Sequence, residues 1–79
     1  MKIYTVIFHD PDGDSYVIGA FSTMDLAEQE SKIFMQAYDC KEIDRDKGAE
    51  ELRIYYVGAD DEPFGTIDIS TLTLDEFTY

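Results

Sequence analysis

Hydrophobic residues follow a helical period in one part of the chain, residues 22–39. At about 100° per residue, most of the apolar side chains fall within one arc of roughly 200°, and the opposite side of the helix is polar. That arc holds Ile33, Leu26, Ala37, Glu30, Phe34, Ala27, Tyr38, Ser31, Met24 and Met35. Ser22 is the predicted N-cap, with Asp25 completing a weak capping box. We expect an amphipathic helix that lies across a sheet and supplies half of the core.

The residues before this helix predict a β-hairpin. Residues 3–9 and 15–21 are rich in β-branched and aromatic side chains, which favour strands. They are separated by an Asp-Pro-Asp-Gly-Asp sequence at 10–14 that favours a turn. Gly19, inside the second strand, is predicted either to let the helix approach closely or to mark a bulge.

The residues after the helix predict two more strands, 51–57 and 65–70, separated by an acidic turn at 58–63. Residues 40–48 contain one large apolar residue, so we interpret them as a loop, with a short edge strand as the alternative. Residues 72–79 fit one helical turn or an added strand equally well. The predicted fold is a single α+β domain over 1–79, with an antiparallel sheet of about four strands (ββαββ) and one helix packed on one face.

Charge is the most unusual property of the composition. The 79 residues include 18 acids and 6 bases, for a net charge of −12. Nucleic acid and anionic membranes are therefore disfavoured as direct ligands, because both require positive charge. The N-terminal residues predict a strand rather than a signal peptide. Cys40 is the only cysteine, which excludes an internal disulfide and favours the reducing cytoplasm.

The chain contains no sequence pattern typical of catalysis. His9 is the only histidine, and it is interpreted as a polar residue at the end of a strand. A Gly-x-Ser-x-Gly elbow, a glycine-rich phosphate loop and paired zinc ligands are all missing from the sequence. Cys40 follows the predicted helix, whose dipole disfavours a thiolate there. We expect a protein that is not an enzyme and that has no cofactor.

Two acidic features have a structural and a functional interpretation. Asp10, Asp12 and Asp14 have the spacing that opens a calcium loop, but the glycine and glutamate that such a loop needs later are misplaced. An acidic hairpin turn is the better interpretation, and no metal site is predicted. Glu30 lies in the apolar arc of the helix, where we expect its stem to pack and its carboxylate to reach water. A buried pair with Arg53 is the alternative.

One short segment resembles a known group of proteins. Ile18-Gly19-Ala20-Phe21-Ser22-Thr23, followed by Ala27-Glu28, resembles short uncharacterised bacterial and phage proteins. In these, a hairpin leads through Ile-Gly-x-Phe-Ser into a helix. The resemblance covers residues 3–57 and implies a fold but no activity. In size and charge, the chain is also similar to the class of small acidic phage inhibitors of host defence, such as anti-CRISPR and anti-restriction proteins.

The acidic charge is concentrated in two parts of the sequence. Residues 32–53 are nearly neutral, whereas 54–79 contain six acids and no base. If the turn is extended, alternate aspartates stand about 6.5 Å apart, a spacing that resembles a run of phosphates. The simplest interpretation of this charge is a solvated acidic surface. The functional interpretation is a DNA-mimicking decoy that occupies the basic nucleic-acid-binding surface of a partner protein.

The decoy hypothesis predicts particular contact residues. The carboxylates of Asp10, Asp12, Asp14, Asp60, Asp61 and Glu62 are expected to meet the cations of the partner, with Tyr55, Phe64 and Tyr79 as aromatic anchors. The competing hypothesis is an assembly module in which strand 51–57 or the outermost strand pairs with a second copy or another chain. The two acidic turns are expected at one end of the sheet if 41–47 form a strand, and at opposite ends if they form a loop.

Overall fold

A computed structural model describes residues 2–73 and confirms an α+β fold. The elements are β1 (Lys2–His9), β2 (Ser15–Phe21), α1 (Met24–Gln36), β3 (Cys40–Lys47), β4 (Leu52–Gly58) and β5 (Pro63–Thr73). The five strands form an antiparallel sheet in the order β2-β1-β5-β4-β3, and the helix packs against one of its faces. The prediction of about four strands in the order ββαββ was therefore wrong in detail, because β3 adds a strand.

The interpretation of residues 40–48 as a loop was wrong. These residues form β3, an edge strand that pairs with β4 from Cys40↔Gly58 to Lys47↔Leu52. Every residue of β3 after Cys40 is exposed. A strand needs only its backbone groups to join a sheet, so an edge strand that buries neither face leaves no hydrophobic alternation in the sequence.

The helix is shorter than predicted and begins at a different cap. Thr23, not Ser22, is the N-cap, because its Oγ1 accepts a hydrogen bond from the Leu26 amide at 3.1 Å. The buried stripe consists of Ala27, Ser31 and Met35, and it is much narrower than the predicted arc. Met24 and Phe34 are partly buried and pack beside this stripe, whereas Leu26 and Ile33, also in the predicted arc, are exposed.

The core lies between the helix and one face of the sheet. Its members are Val6, Phe8, Ala27, Met35, Leu52, Ile54, Tyr56, Ile67 and Ile69, each at most 9 % exposed. The strand residues in this set alternate with residues on the opposite face, which no element of the described chain covers. The molecule therefore has one packed face and one open face.

Three β-bulges interrupt the ladder. One lies at Ile18, directly before Gly19, where the pairing shifts between Val6 and Ile7 of β1. This is one of the two roles predicted for Gly19. The second places Ile43 outside the β3–β4 pairing, and the third does the same for Phe64 of β5. A bulge puts two successive side chains on the same side of a sheet, so the third bulge turns Phe64 toward the helix face.

Both acidic turns lie at the same end of the sheet. β1 and β5 are antiparallel neighbours, and His9, the last residue of β1, pairs with Thr66 near the start of β5. The turn after β1 (10–14) and the connection before β5 (59–62) therefore flank the same end of β5. This is the arrangement expected for a chain in which 41–47 form a strand.

Gly65 provides a test of the packing at this end. A Cβ there would stand 2.8 Å from the His9 carbonyl oxygen and would overlap the Phe8 ring. We predict that Gly65→Ala lowers the free energy of unfolding by about 1–3 kcal/mol, measured by urea denaturation. Gly48→Ala is the matched control, since its Cβ would meet nothing closer than 3.8 Å. Equal stability of the two variants would contradict the described packing.

Candidate functional site

The first acidic turn is closed by its own backbone and by Asp10. The Asp10 amide donates to the Asp14 carbonyl at 2.8 Å, and Gly13 adopts a φ of +98° that favours glycine. Asp10 Oδ1 accepts the Asp12 amide at 2.8 Å. The turn is thus tight rather than extended, and the expected straight row of carboxylates at a 6.5 Å spacing is not formed.

The second acidic turn has an unusual backbone. Asp60 and Asp61 have φ angles of 61° and 58°, in the left-handed region that residues other than glycine seldom adopt. The Gly58 amide donates to the Glu62 carbonyl at 2.8 Å and closes the connection. Two successive strained aspartates are a local cost that the surrounding sheet has to sustain.

Together with Asp39, the two turns place seven carboxylates at one end of the sheet. We call this group of residues the acidic end: Asp10, Asp12, Asp14, Asp39, Asp60, Asp61 and Glu62. Asp39 joins it because β3 begins next to the end of β4, where Cys40 pairs with Gly58. Lys41 lies 3.8 Å from Asp61, but both side chains are more than two-thirds exposed, so this pair offsets little of the charge.

Both arginines form ion pairs outside the acidic end. Arg45 of β3 donates to Glu42 at 2.8 Å and to Glu28 of the helix at 2.9 Å. Arg53 donates to Asp68 at 2.6 Å on the open face. The hydrogen bond to Glu42 is the main reason that the pKa of Arg45 is raised above its usual value. The hydrogen bond to Asp68 has the same effect on the pKa of Arg53. The two arginines therefore neutralise Glu28, Glu42 and Asp68 and do not reduce the charge of the acidic end.

Five aromatic rings lie directly beneath the acidic end. Phe8 lies at their centre, with ring centroids of Phe64, Phe34 and Tyr16 at 6.0, 6.1 and 6.4 Å. Tyr38 completes the group at 5.4 Å from Phe64 and 5.5 Å from Phe34. With Asp10 they line a pocket of about 460 Å³. Of these rings, sequence reasoning singled out only Phe64 as a contact residue, because the others come from separate elements.

The other two predicted anchors do not join this group. Tyr55 of β4 pairs with Thr66 and lies on the open face, opposite the helix and Phe64. Tyr79 lies outside the described residues. Of the three predicted anchors, Phe64 is therefore the one that the described chain places beneath the acidic end.

A polar network crosses the open face beside Tyr55. His9 Nε2 lies 2.7 Å from Asp68 Oδ2, and His9 Nδ1 lies 2.9 Å from Ser15 Oγ. The order Ser15, His9, Asp68 is that of a nucleophilic triad, but Arg53 binds the same carboxylate and offsets the charge that would stabilise an imidazolium. We interpret the network as cross-strand pairing at a strand end, which agrees with the interpretation of His9 from sequence.

The contacts of Arg53 and Cys40 bear on two questions that the sequence raised. Arg53 points away from the helix and binds Asp68, so the alternative of a buried Glu30–Arg53 pair was wrong. Burial, and to a lesser extent the neighbouring Asp39, raises the pKa of the Cys40 thiol. This agrees with the expectation that Cys40 is not an activated nucleophile.

The described residues therefore define a class: a small α+β domain whose sheet carries an acidic end above a group of aromatic rings. Comparisons of the chain with protein-family models, with curated proteins and with solved structures found no match. Within residues 2–73, no helix is long and apolar enough to cross a membrane.

The left-handed aspartates allow a test of the strain in the second turn. We predict that Asp60→Gly raises the free energy of unfolding by roughly 0.5–1 kcal/mol, because glycine adopts positive φ at no steric cost and one repelling charge is lost. Asp12→Gly removes the same charge at a residue without positive φ, and should lower stability by a similar amount. Thermal and urea unfolding of both variants make the comparison. A loss of stability in Asp60→Gly would contradict the described backbone.

Proposed function

We propose that this protein is a non-catalytic binding protein whose acidic end occupies the basic nucleic-acid-binding surface of a partner protein. In this proposal it acts as a decoy that excludes the nucleic acid, in the manner of small acidic phage inhibitors of host defence. It works in the cytoplasm, which is the host cytoplasm if a phage encodes it. The observation that carries the proposal is the collection of both acidic turns at one end of the sheet.

Clustering distinguishes a binding surface from a merely solvated one. A net charge of −12 spread evenly over the exterior would favour solubility without directing any partner to one face. Here seven carboxylates face one lysine at the acidic end, while Arg45 and Arg53 pair with acids elsewhere. A surface of one sign attracts an opposite charge over about 10 Å at 0.1 M salt.

The backbone strain at Asp60 and Asp61 supports the same proposal. Glycine would fit both positions with less strain, yet the chain places charged residues there. Strain of this kind persists where the side chain serves a purpose that the fold itself does not require. Binding of a cationic surface is a purpose that uses the carboxylates of this turn directly.

The proposal predicts that the position of a charge, rather than the total charge, determines binding. Asp12→Lys, Asp14→Lys and Glu62→Lys together should weaken binding to a deca-arginine peptide, a stand-in for a basic groove, by about tenfold or more in low salt. None of these three side chains makes a hydrogen bond or ion pair within residues 2–73, so the fold should be retained. Isothermal titration calorimetry measures the change.

The matched control is the triple variant Asp25→Lys, Asp46→Lys and Glu51→Lys. It changes the net charge equally, at exposed residues outside the acidic end. It should weaken binding by only a few-fold, through the loss of overall charge. If both triple variants lose affinity equally, the acidic end has no special role. The same pair of variants then serves in capture from host extract, where the retained protein should be one that nucleic acid displaces.

The competing hypothesis of strand addition receives less support. β4 lies between β3 and β5, so the strand at 51–57 has no free edge and that form of the hypothesis was wrong. The outermost strands are β2 and β3, and each carries a bulge. Six of the eight residues of β3 are charged. Charges and bulges are the usual features that prevent edge-to-edge pairing. β3 has both, whereas β2 has a bulge and no charged residue. We expect sedimentation at high concentration to show a monomer, and a dimer would favour pairing through β2.

A further inference from the structure

We propose that the aromatic pocket beneath the acidic end binds the guanidinium group of an arginine side chain. The pocket has a volume of about 460 Å³ and is lined by Phe8, Tyr16, Phe34, Tyr38, Phe64 and Asp10. The identity of the arginine as a residue of the basic partner rests on the proposed function. The affinity of the pocket for a guanidinium does not, and can be measured on its own.

The rings line a pocket that opens to solvent rather than forming a closed core. Phe8 forms the floor and is 8 % exposed, whereas Tyr16 and Tyr38 stand at the rim and are 52 % and 46 % exposed. Neighbouring rings are tilted by 51–54°, except Phe8 and Tyr16, which are nearly parallel. Several aromatic rings around one opening suit a cation, because a cation is attracted to the face of an aromatic ring.

Four elements of the fold bring the rings together. β1 and β2 place Phe8 opposite Tyr16 in the hairpin. The last turn of the helix carries Phe34. Tyr38 lies just beyond the helix, and its amide donates to the Met35 carbonyl, so the chain continues the helical turn there. Because Tyr38 comes four residues after Phe34, the two rings lie on the same side. The bulge in β5 turns Phe64 to the helix side. The pocket is thus built by the same end of the fold that carries the acidic turns.

Asp10 makes the pocket selective for a positive charge. Asp10 lines the pocket, and the hydrogen bond from the Asp12 amide to its Oδ1 fixes the orientation of its carboxylate. Within residues 2–73 the other carboxylate oxygen makes no hydrogen bond. A neutral apolar side chain in the pocket would partly desolvate this carboxylate without giving it a charged partner, which is unfavourable. A cation gains both the charge-assisted hydrogen bond and the negative potential of the acidic end.

A guanidinium suits this pocket better than an ammonium. The guanidinium is planar, is weakly hydrated, and stacks on aromatic faces while its N–H groups reach a carboxylate in the same plane. An ammonium is a compact and strongly hydrated charge that loses more hydration on entering an apolar pocket. Arginine is also the residue that basic nucleic-acid-binding surfaces use most for bidentate contacts.

The test uses N-acetyl-arginine amide as the probe and N-acetyl-citrulline amide as its neutral isostere. We expect the arginine probe to bind weakly, with a dissociation constant on the order of millimolar, and the citrulline probe to bind at least about tenfold more weakly. Shifts of the Tyr16, Tyr38 and Phe34 ring resonances in NMR spectra report binding at the pocket itself. Equal binding of the citrulline or of N-acetyl-lysine amide would overturn the proposal.

Two pairs of variants separate the pocket from general charge. Tyr38→Leu should abolish the ring shifts, whereas Tyr38→Phe keeps the π-face and should retain them. Asp10→Asn keeps an oxygen to accept the Asp12 amide but removes the charge, and should weaken the arginine probe about tenfold. Asp12→Asn removes an equal charge outside the pocket lining and should have little effect. Equal losses in the two asparagine variants would overturn the pocket.

The outcomes also separate this inference from the proposed function. If the arginine probe binds at the pocket but no basic protein binds, guanidinium binding is supported and the decoy function is contradicted. If a basic partner binds wild type and Tyr38→Leu equally and the probe does not bind, the decoy function is supported and guanidinium binding is contradicted.

Discussion

The antiparallel pairing of β1 with β5 is the constraint on which the arrangement of the surface depends. The two strands are aligned from Lys2↔Thr73 to His9↔Thr66. Because β1 ends beside the start of β5, the turn that leaves β1 and the connection that enters β5 must lie at the same end of the sheet. The edge strand β3 begins there as well and brings Asp39 with it. Two acidic segments that are far apart in the sequence thus lie at the same end of the fold.

Packing beneath this surface opposes the repulsion within it. Carboxylates of like charge at one end of a small domain destabilise the folded state, and the left-handed aspartates add strain. The same end contains the five neighbouring aromatic rings, with Phe8 packed against the backbone of Gly65. Aromatic side chains bury more apolar area than any others, so they stabilise the fold where charge destabilises it most. A surface used for binding and the packing that sustains it are therefore adjacent.

The sequence predicted elements that bury a face and missed those that do not. The hairpin, β4 and the helix have periodic apolar residues, and all were found. β3 pairs with β4 through its backbone and exposes every residue after Cys40, and Ile43 is displaced by a bulge, so no apolar periodicity marks this strand. The acidic turns were found because proline, glycine and aspartate have known turn conformations. The aromatic pocket was missed because its rings come from β1, β2, the end of the helix and β5, and no local pattern records that contact. Only the pairing order of the strands brings these residues together.

The most direct test of the account is a measurement of the electrostatic potential at each backbone amide. Paramagnetic relaxation by a cationic and by an anionic nitroxide of the same size provides it for the whole chain in one set of NMR spectra. The account predicts the most negative potentials at the amides of both 10–14 and 59–62, and clearly weaker ones at 22–24 and 48–51, at the opposite end of the sheet. Equal potentials at the two ends, or a strong potential at only one of the two acidic turns, would contradict it.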